Sequence, residues 1–486
     1  MHPLPEYPRP SMRRDSYVNL NGPWDYAITQ SSEFPAKWDG AILVPYSPEA
    51  KASGVGRTLQ PGQWLHYHRT FTPPAGEGGR VLLHFGAVDY ACAVEVNGRL
   101  AGGHRGGYWP FTLDITDLLR PQGRNTLWVA VQDPTGNGTQ ARGKQTLTPG
   151  GMFYHAQSGI WQTVWLERVP DNYITELTVT PDYDARTVTV KAHTAQPGGA
   201  KNLWAVVRAG GVTIAEDWGG DEADQDGEVT LNIPEKHFFP WSPDSPFLYD
   251  LTYEVVAPDG QVLDAVKSYV GMRKVHIEGN KIYLNNEPYY QRLVLDQGFY
   301  PDGIWTAPSD DALRRDIELG LAAGFNGARL HQKVFEERYY YWADRLGYIT
   351  WGESPSWGMD ANDVETARNF LSEWAECVVR DRNHPSLLTW TPMNEEWWPD
   401  NTQFPRFASD VYDLTGRLDP TRPVNTVSGG AVVRTDIWAV HNYEQDPAKL
   451  KEKIFSVTES ASLLEALQCM AENKVSGLPV TDREDQ

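Results

Sequence analysis

The sequence predicts a multidomain protein in which a jelly-roll β-sandwich and an immunoglobulin-like β-sandwich precede a TIM-type (β/α)8 barrel. Three observations lead to this prediction. The chain has 486 residues, too many for a single hydrophobic core. Up to about Gly271, short alternating apolar runs are separated by Gly, Pro and Asn-Gly turns. Beyond that point, short apolar runs alternate with helical patterns.

Two-residue alternation predicts the two sandwiches. In residues 1–170 it occurs in runs such as Arg80 to Phe85 and Thr126 to Gln132, which indicates a jelly-roll sandwich. In residues 171–275 it continues through LTVTPDYDARTVTVKAH and LYDLTYEVV, which is typical of an immunoglobulin-like sandwich.

Residues 276–453 are predicted to form the first strands of the barrel, because strand and helix patterns follow each other in a β-α-β-α succession. The expected strands are Tyr289 to Leu295, Phe325 to His331, Tyr348 to Gly352, Leu387 to Asn394, Pro423 to Val427 and Asp436 to Tyr443. The expected helices are Ser309 to Ala323, Glu336 to Leu346, Asn362 to Arg380 and Pro405 to Leu418. A final strand, helix and strand are expected in residues 454–486.

Composition excludes several classes of partner. A net charge of −21 argues against binding to nucleic acid or to an anionic membrane, because both need concentrated Lys and Arg. The three cysteines are far apart and predict neither a disulfide framework nor a zinc site. No apolar run is long enough to span a membrane, and no export signal is recognisable at the N-terminus. A cytoplasmic protein is expected.

The stretch TWTPMNEEWW, from Thr389 to Trp398, is the strongest candidate site. It places Asn394 and Glu395 at the end of a predicted strand, beside Trp390 and two further tryptophans. Flat indole faces suit the C–H face of a pyranose ring, and desolvation beside them can raise the pKa of a carboxyl group until it serves as a general acid. The pattern therefore predicts a sugar site.

Across most of its length the chain resembles glycoside hydrolase family 2, which holds β-galactosidases, β-glucuronidases and β-mannosidases. The matching motifs are LNGPW, VPYSPEA, GGYWPFTLDIT, RGKQ and SGIWQTVWLE in the first domain, then LNNEP, GFNGARLHQK, WADRLGYITWGE and RNHPSLLTWTPMNEE in the barrel. The resemblance implies that the jelly roll of residues 1–170 binds sugar. It also implies that the barrel hydrolyses β-glycosides by a double displacement that retains the anomeric configuration. Such chemistry needs two carboxyl groups roughly 5 to 5.5 Å apart.

The resemblance also implies residue roles. Glu395 is the expected acid/base, and Asn394 the partner of the sugar 2-hydroxyl. Tyr443 could hydrogen-bond the nucleophile, and buried structural roles are the alternative for it and for Arg329. The remaining expected substrate-binding residues also lie at predicted strand ends: Arg329, His331, His441, Asp296, Trp351 and Glu353.

The second carboxylate is where the chain departs from the family. The strand IFSVTES places Glu459 at the nucleophile position, but Ala461 and Ser462 follow it where the family has glycines. The segment Ile454 to Asp482 instead resembles the first half of a cystathionine β-synthase-type (CBS) domain, which normally binds adenosyl nucleotides as a tandem pair. The barrel is either truncated after its sixth strand or closed by this β-α-β tail.

Two functions remain open from the sequence. The first is a retaining β-glycosidase, β-galactosidase-like, with Glu395 and Glu459 as its catalytic pair. The second is a catalytically inactive truncated or fused protein that binds carbohydrate and carries a structural or nucleotide-binding tail. No cofactor is expected to be required, although the resemblance allows Mg²⁺ or Na⁺, and a homo-oligomer is possible.

Overall fold

A computed structural model of the protein describes residues 3–195, 202–219, 227–257, 259–396 and 400–444, together with the backbone of two short strands at 457–458 and 480–481. The predicted order of a jelly-roll sandwich, an immunoglobulin-like sandwich and a barrel domain is confirmed. No helix in these residues is long and apolar enough to cross a membrane.

Two antiparallel sheets form the jelly roll and enclose an apolar core that includes Trp24, Leu83 and Val129. Asn97 and Gly98 both have positive φ angles, 55° and 76°, as the tight turn between two of its strands requires. In spatial order, one sheet contains Gly40–Val44, Gly22–Thr29, Trp64–Phe71, Asn125–Gln132, Ala91–Val96 and Arg99–Arg105, and the other Val18–Asn19, Val164–Val169, Arg80–Phe85 and Phe111–Asp114.

The immunoglobulin-like domain packs a three-stranded sheet on a four-stranded one. Alternate residues such as Val188, Val190 and Ala192 point into the shared core, which explains the two-residue period of the sequence. The sheets contain, in spatial order, Ile174–Asp182, Thr187–Thr194 and Gly227–Asn232, then Val212–Gly219, Asn202–Ala209, Tyr249–Val256 and Val262–Val270.

The barrel domain begins with a small antiparallel sheet, after which parallel strands alternate with four helices. The opening strands are Val275–Glu278, Lys281–Leu284 and Glu287–Pro288. The first four barrel strands pair in chain order, and a fifth pairs with the extension of the fourth: Leu293–Asp296, Gly327–Leu330, Ile349–Glu353, Leu387–Thr391 with Met393–Asn394, and Val427–Ser428. The helices are α1 (Asp310–Ala322), α2 (Glu337–Leu346), α3 (Val364–Asp381) and α4 (Phe404–Leu418).

Local chemistry fixes the ends of these helices. The Ser309 side chain accepts a hydrogen bond from the Ala312 N–H at the start of α1, and Asp363 does the same for Thr366 at the start of α3. α2 ends at Gly347, whose φ of 72° favours glycine. A Cβ there would also lie 2.3 Å from the Pro243 carbonyl oxygen, so the close approach of the second domain requires glycine.

Several shorter elements lie between these strands and helices. They are the 3-10 turns Pro10–Met12, Lys51–Ser53, Thr116–Leu118 and Glu235–His237, and the two-residue strands Val88–Asp89, Gln145–Thr146, Tyr154–His155, Gly159–Ile160, Trp241–Ser242 and Ser245–Pro246.

The predicted sixth strand, Asp436 to Tyr443, is wrong, since residues 436–444 contain no strand. The Asp436 N–H donates to the Val424 carbonyl oxygen at 2.8 Å, and the chain then runs on as a loop towards Glu395. A short apolar run such as Ile437 to Val440 fits an extended loop as well as a strand, and only pairing with a neighbour separates the two.

In the C-terminal tail, Val457–Thr458 pairs in parallel with Val480–Thr481, as the predicted strand, helix and strand require. Within the described part of the chain these two strands pair only with each other. The segment between them, which includes the predicted helix, lies outside the described residues.

Candidate active site

The C-terminal ends of the parallel strands bring most of the predicted site residues to one rim of the barrel. In the register of the first two strands, Asp296 lies opposite Leu330, the residue before His331. In the register of the third and fourth strands, Glu353 lies opposite Thr391, three residues before Asn394. Parallel strands end at the same side of the sheet, so residues far apart in sequence meet there.

Glu353 is the buried centre of this rim, with 2% of its surface exposed. Its carboxylate forms an ion pair of 3.0 Å with Arg329 Nη1 and lies 3.0 Å from His331 Nδ1. It also accepts a hydrogen bond of 3.0 Å from the Gln332 N–H. Burial alone would raise the pKa of Glu353, but the Arg329 charge and the His331 contact outweigh burial and lower it. Glu353 is therefore held as a carboxylate.

Arg329 links this buried carboxylate to the Asn394 side chain. The same guanidinium nitrogen that faces Glu353 donates to Asn394 Oδ1 at 3.1 Å. Asn394 also donates through Nδ2 to Glu395 Oε2 at 3.4 Å. A continuous polar chain thus runs from Glu353 to Glu395.

Glu395 sits on a strained backbone at the end of the fourth strand, with a φ of 54°. Its N–H donates to the Ser428 carbonyl oxygen at 2.9 Å, which fixes it against the fifth strand. Its side chain is 23% exposed and accepts hydrogen bonds from the Tyr443 hydroxyl and, at 2.6 Å, from His441 Nδ1. The Ser428 hydroxyl lies 3.0 Å from the other ring nitrogen of His441.

The protonation of Glu395 differs from the expected one. Burial acts to raise its pKa, but the hydrogen bonds from Tyr443 and His441 outweigh burial and lower it. The neighbouring Glu396 shows the opposite balance, since burial raises its pKa to about 8. Among the described residues, the partners of Glu395 therefore favour its carboxylate form, whereas the motif predicted a raised pKa.

Trp390 does not present its face to a ligand, contrary to the expectation from the motif. It is 1% exposed, packs edge-on against Trp374 of α3 and donates from its indole nitrogen to Asp419 at 2.8 Å. Alternate side chains of a barrel strand face the surrounding helices, and Trp390 is one of these. Trp397 and Trp398, which completed the predicted aromatic wall, lie outside the described residues.

Two of the expected substrate-binding residues, Asp296 and Trp351, form hydrogen bonds outside this cluster. Asp296 accepts hydrogen bonds from the Gly298 N–H at 2.9 Å and from the Tyr339 hydroxyl at 3.1 Å. Trp351 donates to Gln291 Oε1 at 2.7 Å, before the first barrel strand begins. Glu459, the predicted nucleophile, lies outside the described residues.

A loop of the jelly roll, residues 133–158, reaches across to the barrel. Tyr154 stacks on Phe299 with ring centroids 3.9 Å apart, and a Cβ at Gly143 would lie 2.2 Å from the Gln332 carbonyl oxygen. Lys144 on this loop is partly buried and experiences the charges of Glu395, Glu353 and Arg329. Sequence reasoning recognised the RGKQ motif but assigned no role to Lys144, and none to Ser428.

Among the described residues, no three His, Cys, Asp or Glu side chains are grouped so that they could hold a metal ion.

Four family models match the chain. They are described as the galactose-binding domain-like domain of glycosyl hydrolase 2 (residues 56–163), glycosyl hydrolases family 2 (172–273), the TIM barrel domain of glycosyl hydrolases family 2 (275–463) and the CBS domain (450–486). The last two matches overlap between residues 450 and 463, and Glu459 falls within this overlap.

Known enzymes from bacteria are similar in sequence. A β-galactosidase of Thermoanaerobacter pseudethanolicus is 27% identical over 72% of this chain and 46% of its own length. A putative β-glucuronidase of Formosa agariphila is 28% identical over 83% of this chain and 50% of its own. The chain thus spans about half the length of these relatives.

Solved structures share the fold. A β-glucuronidase from Ruminococcus gnavus in complex with D-glucuronic acid superposes with a TM-score of 0.72 at 22% identity, covering 87% of this chain and 74% of that one. The β-D-glucuronidase of Dictyoglomus thermophilum gives a TM-score of 0.70, also at 22% identity, covering 86% of this chain and 73% of that one.

Proposed function

The chain belongs to glycoside hydrolase family 2, and from this membership we propose that it is a retaining β-glycosidase that hydrolyses terminal β-glycosides. β-Galactosides are the substrates expected from the sequence. The relatives named above include both β-galactosidases and β-glucuronidases, so glucuronides belong in the same test.

One observation carries this proposal: Glu395 and Asn394 end the fourth barrel strand within a single hydrogen-bonded cluster. Arg329 from the second strand and His441 from the loop after the fifth strand reach the same cluster. Glycoside hydrolysis needs a carboxyl group held at such a rim, with amide donors beside it to bind sugar hydroxyls.

The proposed mechanism uses Glu395 as acid and then as base, with Glu459 as the nucleophile. The Glu459 carboxylate attacks the anomeric carbon while Glu395 donates its proton to the departing glycosidic oxygen, which leaves a glycosyl ester. Glu395 then takes a proton from water, and the water oxygen displaces Glu459 from the anomeric carbon. Asn394 is proposed to hydrogen-bond the 2-hydroxyl in both steps.

This mechanism requires the pKa of Glu395 to rise when the site is complete. A second carboxylate within roughly 5 to 5.5 Å raises the pKa of its neighbour, because two like charges in one site repel. The hydrogen bonds from Tyr443 and His441 would then have to pass, at least in part, from Glu395 to the nucleophile or to the substrate.

Hydrolysis of chromogenic β-galactosides, β-glucuronides and β-mannosides tests the proposal. We expect Glu395→Gln to lower kcat by about 100-fold or more, which is the usual contribution of a general acid. Glu365→Gln, on the exposed first turn of α3, makes the same chemical change away from the site and serves as control. Full activity in Glu395→Gln would remove Glu395 from the mechanism, and loss in Glu396→Gln alone would transfer the acid role to Glu396.

A second candidate function is an inactive family 2 protein that binds carbohydrate without hydrolysing it. The hydrogen bonds that lower the pKa of Glu395 favour it, because they stabilise the form that cannot donate a proton. In this version the CBS-type tail is structural or binds an adenosyl nucleotide. Sugar binding without turnover, together with a rise in melting temperature on adding AMP or ATP, would support it over the enzyme.

A further inference from the structure

Gln332 follows the second barrel strand and is buried, with 4% of its surface exposed. Its side-chain amide forms three hydrogen bonds with the loop after the third strand. Nε2 donates to the Ser356 hydroxyl at 3.0 Å, and Oε1 accepts from the N–H groups of Ser356 at 2.9 Å and Trp357 at 3.3 Å. One side chain thus joins the chain segments that follow two neighbouring strands.

The backbone of Gln332 is also held on both sides. Its N–H donates to the Glu353 carboxylate at 3.0 Å. Its carbonyl oxygen lies against Gly143 of the jelly-roll loop, where a Cβ would come within 2.2 Å. Its φ angle is 56°, in the left-handed region that residues other than glycine adopt uncommonly. Such a conformation persists only where surrounding contacts hold it, and for Gln332 these contacts come from two domains.

Ser356, in turn, holds the backbone of Asn394. The N–H groups of Met393 and Glu395 donate to carbonyl oxygens on the side of the fifth strand. The Asn394 N–H lies between them and points the other way, because successive residues of a strand bond opposite neighbours. On that side the third strand has already ended at Glu353. The Ser356 hydroxyl accepts the Asn394 N–H instead, at 3.2 Å.

The Ser356 hydroxyl therefore couples Gln332 to Asn394. A hydroxyl has two acceptor positions, and in Ser356 these receive the Gln332 amide and the Asn394 N–H. Asn394 is 2% exposed, so its N–H would be costly to leave without an acceptor. The Asn394 side chain is bonded in addition by Arg329 Nη1 at 3.1 Å. A shift of Ser356 would thus displace Asn394 relative to the rest of the rim.

We propose that Gln332 is a positioning residue, which acts through Ser356 to orient the Asn394 amide towards the 2-hydroxyl of the bound sugar. The inference rests on the proposed function, in which Asn394 binds that hydroxyl. Gln332 needs no contact of its own with the substrate. Its effect should depend on the 2-hydroxyl, because losing the Gln332 bonds displaces the partner of that one group. A general loosening of the rim would affect every substrate alike.

Paired substrates test the proposal: a 4-nitrophenyl β-glycoside that the native protein hydrolyses, and its 2-deoxy analogue. The ratio of their kcat/KM values, here called the 2-hydroxyl preference, does not depend on the folded fraction of a variant. Gln332→Met keeps the length of the unbranched side chain and removes its three hydrogen bonds. Gln140→Met is the matched control, since Gln140 is also 4% exposed and donates to the Thr135 carbonyl oxygen at 2.5 Å.

We expect Gln332→Met to lower the 2-hydroxyl preference about tenfold, with kcat/KM for the 2-deoxy substrate kept within about twofold. Asn394→Ala gives the full loss of preference for comparison. Ser356→Ala should match Gln332→Met, and the double variant should lose no more than either single one, because both changes break the same chain of contacts. Gln140→Met should leave the preference unchanged, even where its melting temperature falls.

Equal losses on both substrates in Gln332→Met, no loss at all, or additive losses with Ser356→Ala would each overturn the proposal. All three leave the glycosidase proposal intact, since that depends on turnover by the native protein. If the native protein hydrolyses no glycoside, the enzyme proposal fails, and binding of D-galactose against 2-deoxy-D-galactose replaces the kinetic ratio. A binding preference that Gln332→Met removes then upholds the role of Gln332, and an unchanged or absent preference overturns it.

Discussion

Glu353 and Glu395 end neighbouring strands of the same barrel, yet the protein treats the two carboxylates differently. Glu353 is 2% exposed and paired with Arg329 and His331, whereas the Glu395 side chain is 23% exposed and bonded to Tyr443 and His441. The permanent charge of Arg329 cannot be withdrawn from Glu353. The donors to Glu395, in contrast, come from a loop that contains no strand or helix. A carboxylate at a strand end can therefore either stabilise the rim or take part in chemistry, depending on its partners.

The largest effect is expected from breaking the Glu353 pairs. Glu353→Gln leaves the Arg329 side chain, which is 12% exposed, without its countercharge. Removing one partner of a buried ion pair costs about 3 to 5 kcal/mol in the free energy of unfolding. Glu395→Gln should cost less than about 1 kcal/mol, because its side chain is partly exposed. Urea unfolding followed by tryptophan fluorescence measures both. Similar losses in the two variants would contradict the contrast drawn between them.

The pH dependence of stability should follow the same contrast. The folded-state pKa of Glu353 lies below the ordinary value, so its contribution is present above about pH 4.3 and is lost as the pH falls through the folded pKa. We expect the melting temperature of the native protein to drop on acidification below that point. In Glu353→Gln the melting temperature should depend less on pH in this range, because the Gln side chain does not titrate. Glu395→Gln should reduce the pH dependence by a smaller amount. A native curve that parallels that of Glu353→Gln would remove Glu353 from acid unfolding.

A smaller effect is expected from loosening the partners of Glu395. Tyr443→Phe removes one hydrogen bond to the carboxylate, so the pKa of Glu395 should rise towards its ordinary value. If Glu395 is the acid, the alkaline limb of the kcat/KM profile should move to higher pH, because the protonated form persists longer. Tyr412→Phe breaks a similar bond, to Asp436 at 2.6 Å, on the outside of the domain and is the control. An alkaline limb that stays in place in Tyr443→Phe would mean that another group sets it.

The sequence correctly predicted features that depend on residues close together in the chain. The expected helix Ser309 to Ala323 is observed as Asp310–Ala322, because the Ser309 cap and the helical period of apolar residues both lie within this one segment. It failed where a partner distant in sequence decides the outcome. The pKa of Glu395 is set by His441 and Tyr443, 46 and 48 residues later, and the burial of Trp390 by Trp374 on α3.

The predicted sixth strand and the missed position of Lys144 also depend on residues distant in sequence. A strand at Asp436 to Tyr443 needs a neighbouring strand edge to pair with, and a short apolar run does not show whether one is present. Lys144 reaches the barrel from another domain, and no spacing along the chain connects it with Glu395. The RGKQ motif drew attention to this segment, but the sequence does not show which way its side chains point.

The smallest effect is expected one step further from the carboxylate, at Ser428. Its hydroxyl lies 3.0 Å from His441 Nε2, while His441 Nδ1 faces Glu395. When the Ser428 hydroxyl donates to Nε2, the proton of a neutral His441 ring is on Nδ1 and points to the Glu395 carboxylate. Ser428→Ala removes one neutral hydrogen bond of about 1 kcal/mol, so kcat/KM should fall by no more than about fivefold. Ser409→Ala, whose hydroxyl bonds the Pro405 carbonyl oxygen within α4, is the matched control. A loss as large as that of Glu395→Gln would contradict a positioning role for Ser428, because one neutral hydrogen bond cannot account for an effect of that size.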